Sequence, residues 1–115
     1  MIRAIGAHMP PPAGLASPMR WGEATGVDDL FGDSVAWTAH TRRAFTFRFR
    51  SPDAFVAHFA ENYGPTLKAF ESLGPDRAPA LAADLADLAR RWDRLHEDGA
   101  IAITAGYLES VGIRR

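Results

Sequence analysis

The chain has 115 residues, of which 47% are hydrophobic and 23% charged, and its formal net charge is −1. This composition is that of one ordinary globular domain, and the near-zero charge argues against a nucleic-acid or anionic-membrane surface. Cysteine is absent, which excludes disulfides, thiolate metal sites and thiol nucleophiles. No apolar run approaches the ~20 residues that span a bilayer, and no signal peptide is recognisable, so we expect a cytoplasmic protein with no membrane contact.

The first 21 residues are predicted to be a helix remnant followed by a proline-rich loop. Residues 2–9 have apolar spacing for about two helical turns, with no N-cap before them. Four prolines between positions 10 and 18 predict a stiff, polyproline-like loop that ends in Met19 and Trp21. This loop is either a linker or one wall of a ligand pocket. We expect residues 1–115 to form a single domain, with an α+β body over residues 22–115 that begins with a short helix over residues 22–31.

A long strand is predicted over residues 34–50. Phe45, Phe47 and Phe49 alternate with polar residues, which is the pattern of a half-buried strand. A hairpin would be signalled by a turn such as Asn-Gly, and none is present, so one strand bent by a bulge near His40 is favoured.

Two helical segments are predicted after this strand, over residues 52–73 and 77–97. Ser51-Pro52-Asp53 has the residue types of an N-cap, a first helical position and an acidic first turn. A break at Tyr63-Gly64-Pro65 divides the first segment, and Gly74-Pro75-Asp76 is predicted to be the turn before the second. The second segment, closed by Asp98-Gly99, has an apolar stripe at steps of four and three: Leu81, Leu85, Leu88, Trp92 and Leu95.

A last strand is predicted over residues 106–114, where side-chain types again alternate. Two strands are marginal unless they pair and are covered by helices. The sequence therefore predicts an α+β fold in which strands 34–50 and 106–114 are antiparallel and the helical pair 52–73 and 77–97 covers them.

No catalytic or metal-binding motif is present in the sequence. The four histidines lack the spacing of a zinc site, and Asp28 and Asp29 are expected to be solvated charges on a helix face. Arg43 can face an anionic ligand or be a solvated strand end, and Tyr63 can line a pocket or pack in the core. We therefore predict no catalytic and no metal residues, and four substrate-binding candidates: Met19, Trp21, Arg43 and Tyr63.

Several stretches nevertheless carry a resemblance. The segments MPPPAGLASPMRWG, LFGD, RRAFTFRFRSPDAFVAHFAENYGPTLKAFESL, LAADLADLARRWDR and YLESVGIRR resemble, in this order, the C-terminal part of bacterial class I S-adenosylmethionine-dependent methyltransferases. The resemblance implies that residues 34–50 and 106–114 are the last two strands of the methyltransferase sheet, and that residues 10–21 lie over the substrate pocket.

The resemblance also implies what this segment lacks. In that family the cofactor is held in the N-terminal half, by a D/E-x-G-x-G-x-G turn that lets the backbone approach the ligand closely. No such turn occurs in these 115 residues. We therefore expect a substrate-side fragment that binds no S-adenosylmethionine and is not catalytic alone.

Two alternatives remain open. The chain can be a non-enzymatic, dimeric module that keeps an apolar pocket for a small ligand. Less favoured is a compact α+β enzyme with its site inside a concave sheet, because Phe45, Phe47 and Phe49 offer no polar pair there.

The missing parallel strands would leave the edge of residues 106–114 unpaired. We therefore expect either a homodimer or a complex with a separately encoded cofactor-binding half.

Overall fold

The computed structural model describes residues 1–96 and 99–115. Its fold is α+β, with four helices and one sheet of two antiparallel strands, as predicted. The helices are α1 (Ile2–His8), α2 (Ala24–Phe31), α3 (Pro52–Asn62) and α4 (Gly64–Trp92), and the strands are β1 (Val35–Phe49) and β2 (Ile101–Arg114). Short 3₁₀ helices precede and follow α2, at Pro18–Gly22 and Gly32–Ser34.

These elements belong to two compact units. Unit 1 contains Met1–Pro12 and Thr46–Thr104, and unit 2 contains Ala13–Phe45 and Ala105–Arg115. Unit 1 therefore holds α1, α3 and α4, whereas unit 2 holds α2 and the larger part of each strand. Among the described residues, no helix combines the length and the apolar character that crossing a bilayer requires.

The core of unit 1 forms where α1 and α3 pack on α4. One buried cluster contains Ile5, Ala69, Leu73, Leu81 and Leu85, and a second contains Phe55, Ala89 and Ile101. The predicted start of α3 is confirmed, because the Ser51 Oγ accepts a hydrogen bond from the Ala54 N–H at 3.0 Å. Phe49 then meets Phe55 edge to face, with ring centroids 5.5 Å apart. The phenylalanine side of β1 in this unit is therefore covered by α3, as the change in sequence period at Ser51 predicts.

The second helical segment differs from the prediction in two places. The predicted break at Gly74 is present as one residue with φ of 65° and ψ of −178°, but helical structure resumes at once at Pro75, so α4 continues to Trp92. The predicted end at residue 97 is wrong, because Asp93 already has extended backbone. Residues 97 and 98, including the aspartate of the predicted Asp98-Gly99 stop, lie outside the described residues.

The early end of α4 also corrects the apolar stripe. Leu81 and Leu85 are fully buried and Leu88 packs against their cluster, as predicted. Trp92 and Leu95 are exposed: Trp92 is the last residue of α4, and Leu95 lies beyond the end of the helix.

Both strands differ in extent from their predictions. β1 is one strand and not a hairpin, as predicted, and its bounds lie within one residue of residues 34–50. β2 begins five residues earlier than residue 106, at Ile101. The missed part is buried at Ile101 and Ala102, so both faces are apolar there and the alternation that signals a half-buried strand is lost.

Candidate functional site

Unit 2 carries a row of aromatic rings from the 3₁₀ helix Pro18–Gly22, α2 and β1. Trp21 meets Phe31 at 6.1 Å, and Phe31 meets Trp37 at 5.4 Å, both edge to face. The ring of His40 lies 5.1 Å from that of Trp37. Trp37 and His40 are three residues apart, so strict strand alternation would place them on opposite faces. Their contact indicates a local bulge in β1, close to the predicted position.

A hydrogen-bonded series of Asp28, His40 and Ser110 adjoins this row. The His40 Nε2 lies 3.1 Å from the Asp28 Oδ1, and the Nδ1 lies 2.9 Å from the Ser110 Oγ. An ionised carboxylate only accepts hydrogen bonds, so the Nε2–H donates a hydrogen bond to the Asp28 Oδ1. The Nδ1 is then the acceptor for the Ser110 hydroxyl. This arrangement fixes the orientation of the imidazole ring and points its Nδ1 lone pair at Ser110.

The series was not foreseen from the sequence. Asp28 had the signature of a solvated helix charge, and His40 and Ser110 lie 70 residues apart. Only the pairing of β1 with β2 and the packing of α2 bring the three together. No local spacing signals such a contact.

The indole of Trp37 is a further unforeseen polar group. Its Nε1 atom is buried and has no hydrogen-bond partner among the described residues. A buried N–H without a partner is costly, so this indole is a locally destabilising feature of unit 2.

Met19 and Trp21, two of the predicted substrate-binding residues, lie on the 3₁₀ helix beside α2. Their side chains are 63% and 58% exposed. Met19 borders a surface depression of about 350 Å³ that also includes Glu23 and Asp29. The 3₁₀ helix Pro18–Gly22 lies so close to α2 that a Cβ on Gly26 would clash with the carbonyl oxygen of Arg20. Gly26 is therefore required for this close approach.

Arg43 and Tyr63 are placed in different surroundings. Arg43, on β1 in unit 2, forms an ion pair with Glu109 of β2 at 3.0 Å, so its charge already has a partner within the chain. Tyr63 lies in unit 1 at the junction of α3 and α4, and its ring meets that of Phe59 at 5.9 Å. Their predicted roles in substrate binding stay predictions.

Unit 1 has its own depression, of about 430 Å³, between α3 and α4. Its floor is made of small apolar side chains, among them Val56, Ala82 and Ala86. Asp53, Asp87 and Arg90 stand at its border. In residues 1–96 and 99–115, no three histidine or carboxylate side chains are grouped as a metal site would require.

Asp93 is a buried carboxylate whose role the sequence did not reveal. It directly follows α4, and its side chain is only 8% exposed. It accepts hydrogen bonds from the backbone N–H groups of Ala102, Leu95 and His96 at 2.8 to 3.0 Å. The N–H of Ala102, followed by that of Leu95, stabilises the charged form most, so the pKa of Asp93 lies below its usual value.

Comparisons with known proteins give relatives but no family. No family model matches the chain, and no solved structure matches it significantly. Uncharacterized proteins of Mycobacterium bovis (strain ATCC BAA-935 / AF2122/97) and Mycobacterium tuberculosis (strain ATCC 25618 / H37Rv) are each 32% identical to it over 84 residues. That match covers 70% of this chain and 31% of each relative. The chain thus spans about a third of the length of the curated relatives it matches.

Proposed function

We propose that this chain is the substrate-side, C-terminal segment of a class I S-adenosylmethionine-dependent methyltransferase. The observation that carries the proposal is the order of β1, two covering helices and an antiparallel β2. The resembling segments of sequence fall on these elements in the order that the last two strands of a methyltransferase sheet would have. The greater length of the mycobacterial relatives supports a segment that works with further chain.

The residues of this chain do not fit the cofactor. A site for S-adenosylmethionine needs glycines where the backbone approaches the methionine end and an acidic residue for the ribose. The 115 residues contain no D/E-x-G-x-G-x-G turn. The proposed contribution of this chain is therefore limited to holding and preparing the methyl acceptor.

The series Asp28–His40–Ser110 supports such a contribution. An acceptor with a hydroxyl or amine group must lose a proton when it gains a methyl group, and an imidazole nitrogen is a suitable general base. Asp28 orients the ring, and Ser110 connects the Nδ1 to a neighbouring hydroxyl or amine. Trp21 and Met19 supply exposed apolar surface for the remainder of the acceptor.

Calorimetric titration with S-adenosylmethionine tests the proposal. We expect no saturable binding to this chain alone, and micromolar binding to the complete Mycobacterium tuberculosis relative. A chimera in which this chain replaces the matched 84 residues of that relative should keep the affinity, because the cofactor site lies elsewhere. Saturable micromolar binding by this chain alone, or no binding by the relative, would contradict the proposal.

A second candidate function is the binding of a small apolar ligand without catalysis. The depression in unit 1 favours it, since alanine and valine side chains make up most of its lining. Thermal shift with 1-anilinonaphthalene-8-sulfonate as the probe tests this candidate. Ala83 is exposed within the depression, so Ala83→Trp should fill it and abolish the shift. Leu15→Trp, an exposed position in unit 2 that does not line the depression, should leave the shift unchanged.

A further inference from the structure

The part of β2 that lies in unit 2 has an outer edge with unpaired backbone groups. The Val111 carbonyl accepts a hydrogen bond from the Thr38 Oγ1 of β1 at 3.0 Å, and the Arg115 N–H donates to the Ser34 carbonyl at 3.0 Å. Odd-numbered residues therefore turn their backbone groups toward β1. Since these groups alternate along a strand, the even-numbered residues turn theirs outward: Gly106, Leu108, Ser110, Gly112 and Arg114. Within residues 1–96 and 99–115 no strand pairs with this edge.

The side chains along this edge do not protect it. Natural edge strands commonly carry lysine or proline, or are very short, whereas residues 106–114 contain neither residue type. Tyr107, Val111 and Ile113 lie on one face and are 50%, 53% and 66% exposed. The charge among them, Glu109, is paired with Arg43. An edge of this kind favours the addition of another strand.

We propose that this edge pairs with the same edge of a second copy of the chain, antiparallel and centred on Ser110. A twofold axis brings identical surfaces together, and outward-pointing residues must face outward-pointing residues. Full overlap of residues 106–114 then places Ser110 opposite its own counterpart, and Tyr107 opposite Ile113 of the second copy.

The charges and side chains favour this occupant and this register. Tyr107 and Ile113 make aromatic–β-branched pairs, which stabilise antiparallel sheets. Glu109 faces Val111 of the second copy, so the two glutamates are not opposite each other. A register centred on Glu109 would place like charges opposite each other, which is unfavourable. Each copy keeps its Arg43–Glu109 ion pair. The other charge in residues 106–114, Arg114, faces Gly106 of the second copy, so no like charges lie directly opposite each other. This inference does not depend on the methyltransferase proposal. It concerns the chain by itself, since the sheet of a cofactor-binding half would pair with the same edge.

Sedimentation velocity over micromolar concentrations tests the dimer. The Ile113 side chain is already exposed, so Ile113→Lys should leave the fold intact and place one charge at each end of the proposed interface. We expect at least about tenfold weaker dimerisation, equivalent to about 1.4 kcal/mol. The matched control is Leu15→Lys, which changes an equally exposed apolar side chain (68% exposed) outside β2 and should not alter the dimer. If the wild-type chain sediments as a monomer at all these concentrations, the proposal is overturned, even if another protein is found to bind the edge.

Disulfide cross-linking tests the register. The chain has no native cysteine, so every cross-link reports engineered residues. Odd-numbered residues form the non-hydrogen-bonded pairs of the new ladder, with Cα atoms about 4.5 Å apart, which suits a disulfide. The double variant Tyr107→Cys/Ile113→Cys should cross-link to a covalent dimer under mild oxidation, whereas Tyr107→Cys alone should not. Equal cross-linking of the two variants would overturn the register.

Discussion

Replacing Leu85 by alanine tests the core of unit 1. Leu85 is fully buried on α4, in the cluster formed with Ile5, Leu73 and Leu81. The substitution removes three carbon atoms, for which the lost burial alone amounts to about 2.4 kcal/mol at ~0.8 kcal/mol per methylene. The cavity left behind adds to this, so the expected loss of unfolding free energy is about 2–5 kcal/mol.

Urea unfolding followed by circular dichroism measures this loss. With a slope of about 1–3 kcal/mol/M, a loss of ~3 kcal/mol lowers the midpoint by about 1–3 M. Two matched leucines calibrate the result: Leu88, which is partly buried against the same cluster, and Leu15, which is exposed. The losses should decrease in the order Leu85, Leu88, Leu15. If Leu85→Ala were no more destabilising than Leu15→Ala, the packing of α1 and α3 on α4 would be refuted.

Three further predictions concern single interactions. The folded-state pKa of Asp93 lies below the usual 3.8, so the stability that its charge contributes is present above pH ~4 and is lost as the pH falls toward the lowered value. In thermal unfolding, the loss of stability caused by Asp93→Asn should therefore shrink from pH 6 to pH 3. A loss that stayed constant with pH would contradict the reasoning. Ser51→Ala removes the N-cap of α3 and should cost about 1 kcal/mol in urea unfolding, with Ser72→Ala, on the exposed side of α4, nearly neutral. Gly26→Ala should displace the 3₁₀ helix Pro18–Gly22, because the added Cβ would meet backbone atoms of Arg20. This displacement should change the fluorescence of Trp21. Gly6→Ala has open space at its Cβ and should leave the fluorescence unchanged.

The elements that sequence reasoning located are those whose signals are local. The N-cap at Ser51 and the phenylalanine alternation of β1 each depend on a few consecutive residues. The N-cap agrees with the structure, as do Phe47 and Phe49, which meet α3, whereas Phe45 is 56% exposed. The end of α4 was misplaced because Leu95 happens to continue the helical spacing, although the chain has already turned away at Asp93. Periodicity cannot distinguish a continuing helix from one that ends at a favourable tertiary contact.

The candidate site was much less accessible from the sequence. Met19 and Trp21 were predicted to bind substrate because they are apolar residues at the end of a stiff loop. The hydrogen bonds of His40 to Asp28 and Ser110 depend on strand pairing and on the bulge in β1, neither of which leaves a sequence motif. Arg43 shows the opposite case, since a conspicuous cation proved to have an intramolecular partner in Glu109.

The contacts of Asp93 have a consequence for assembly. Its carboxylate accepts a hydrogen bond from the N–H of Ala102, and the N–H of Arg94 donates one to the carbonyl of Ala102 at 2.9 Å. Asp93 and Arg94 thus occupy the position of a neighbouring strand at the beginning of β2. These two residues limit the length of the free edge, since a strand added to β2 cannot extend past them. For the proposed dimer, a chain without this carboxylate would therefore offer a longer edge with more than one possible alignment.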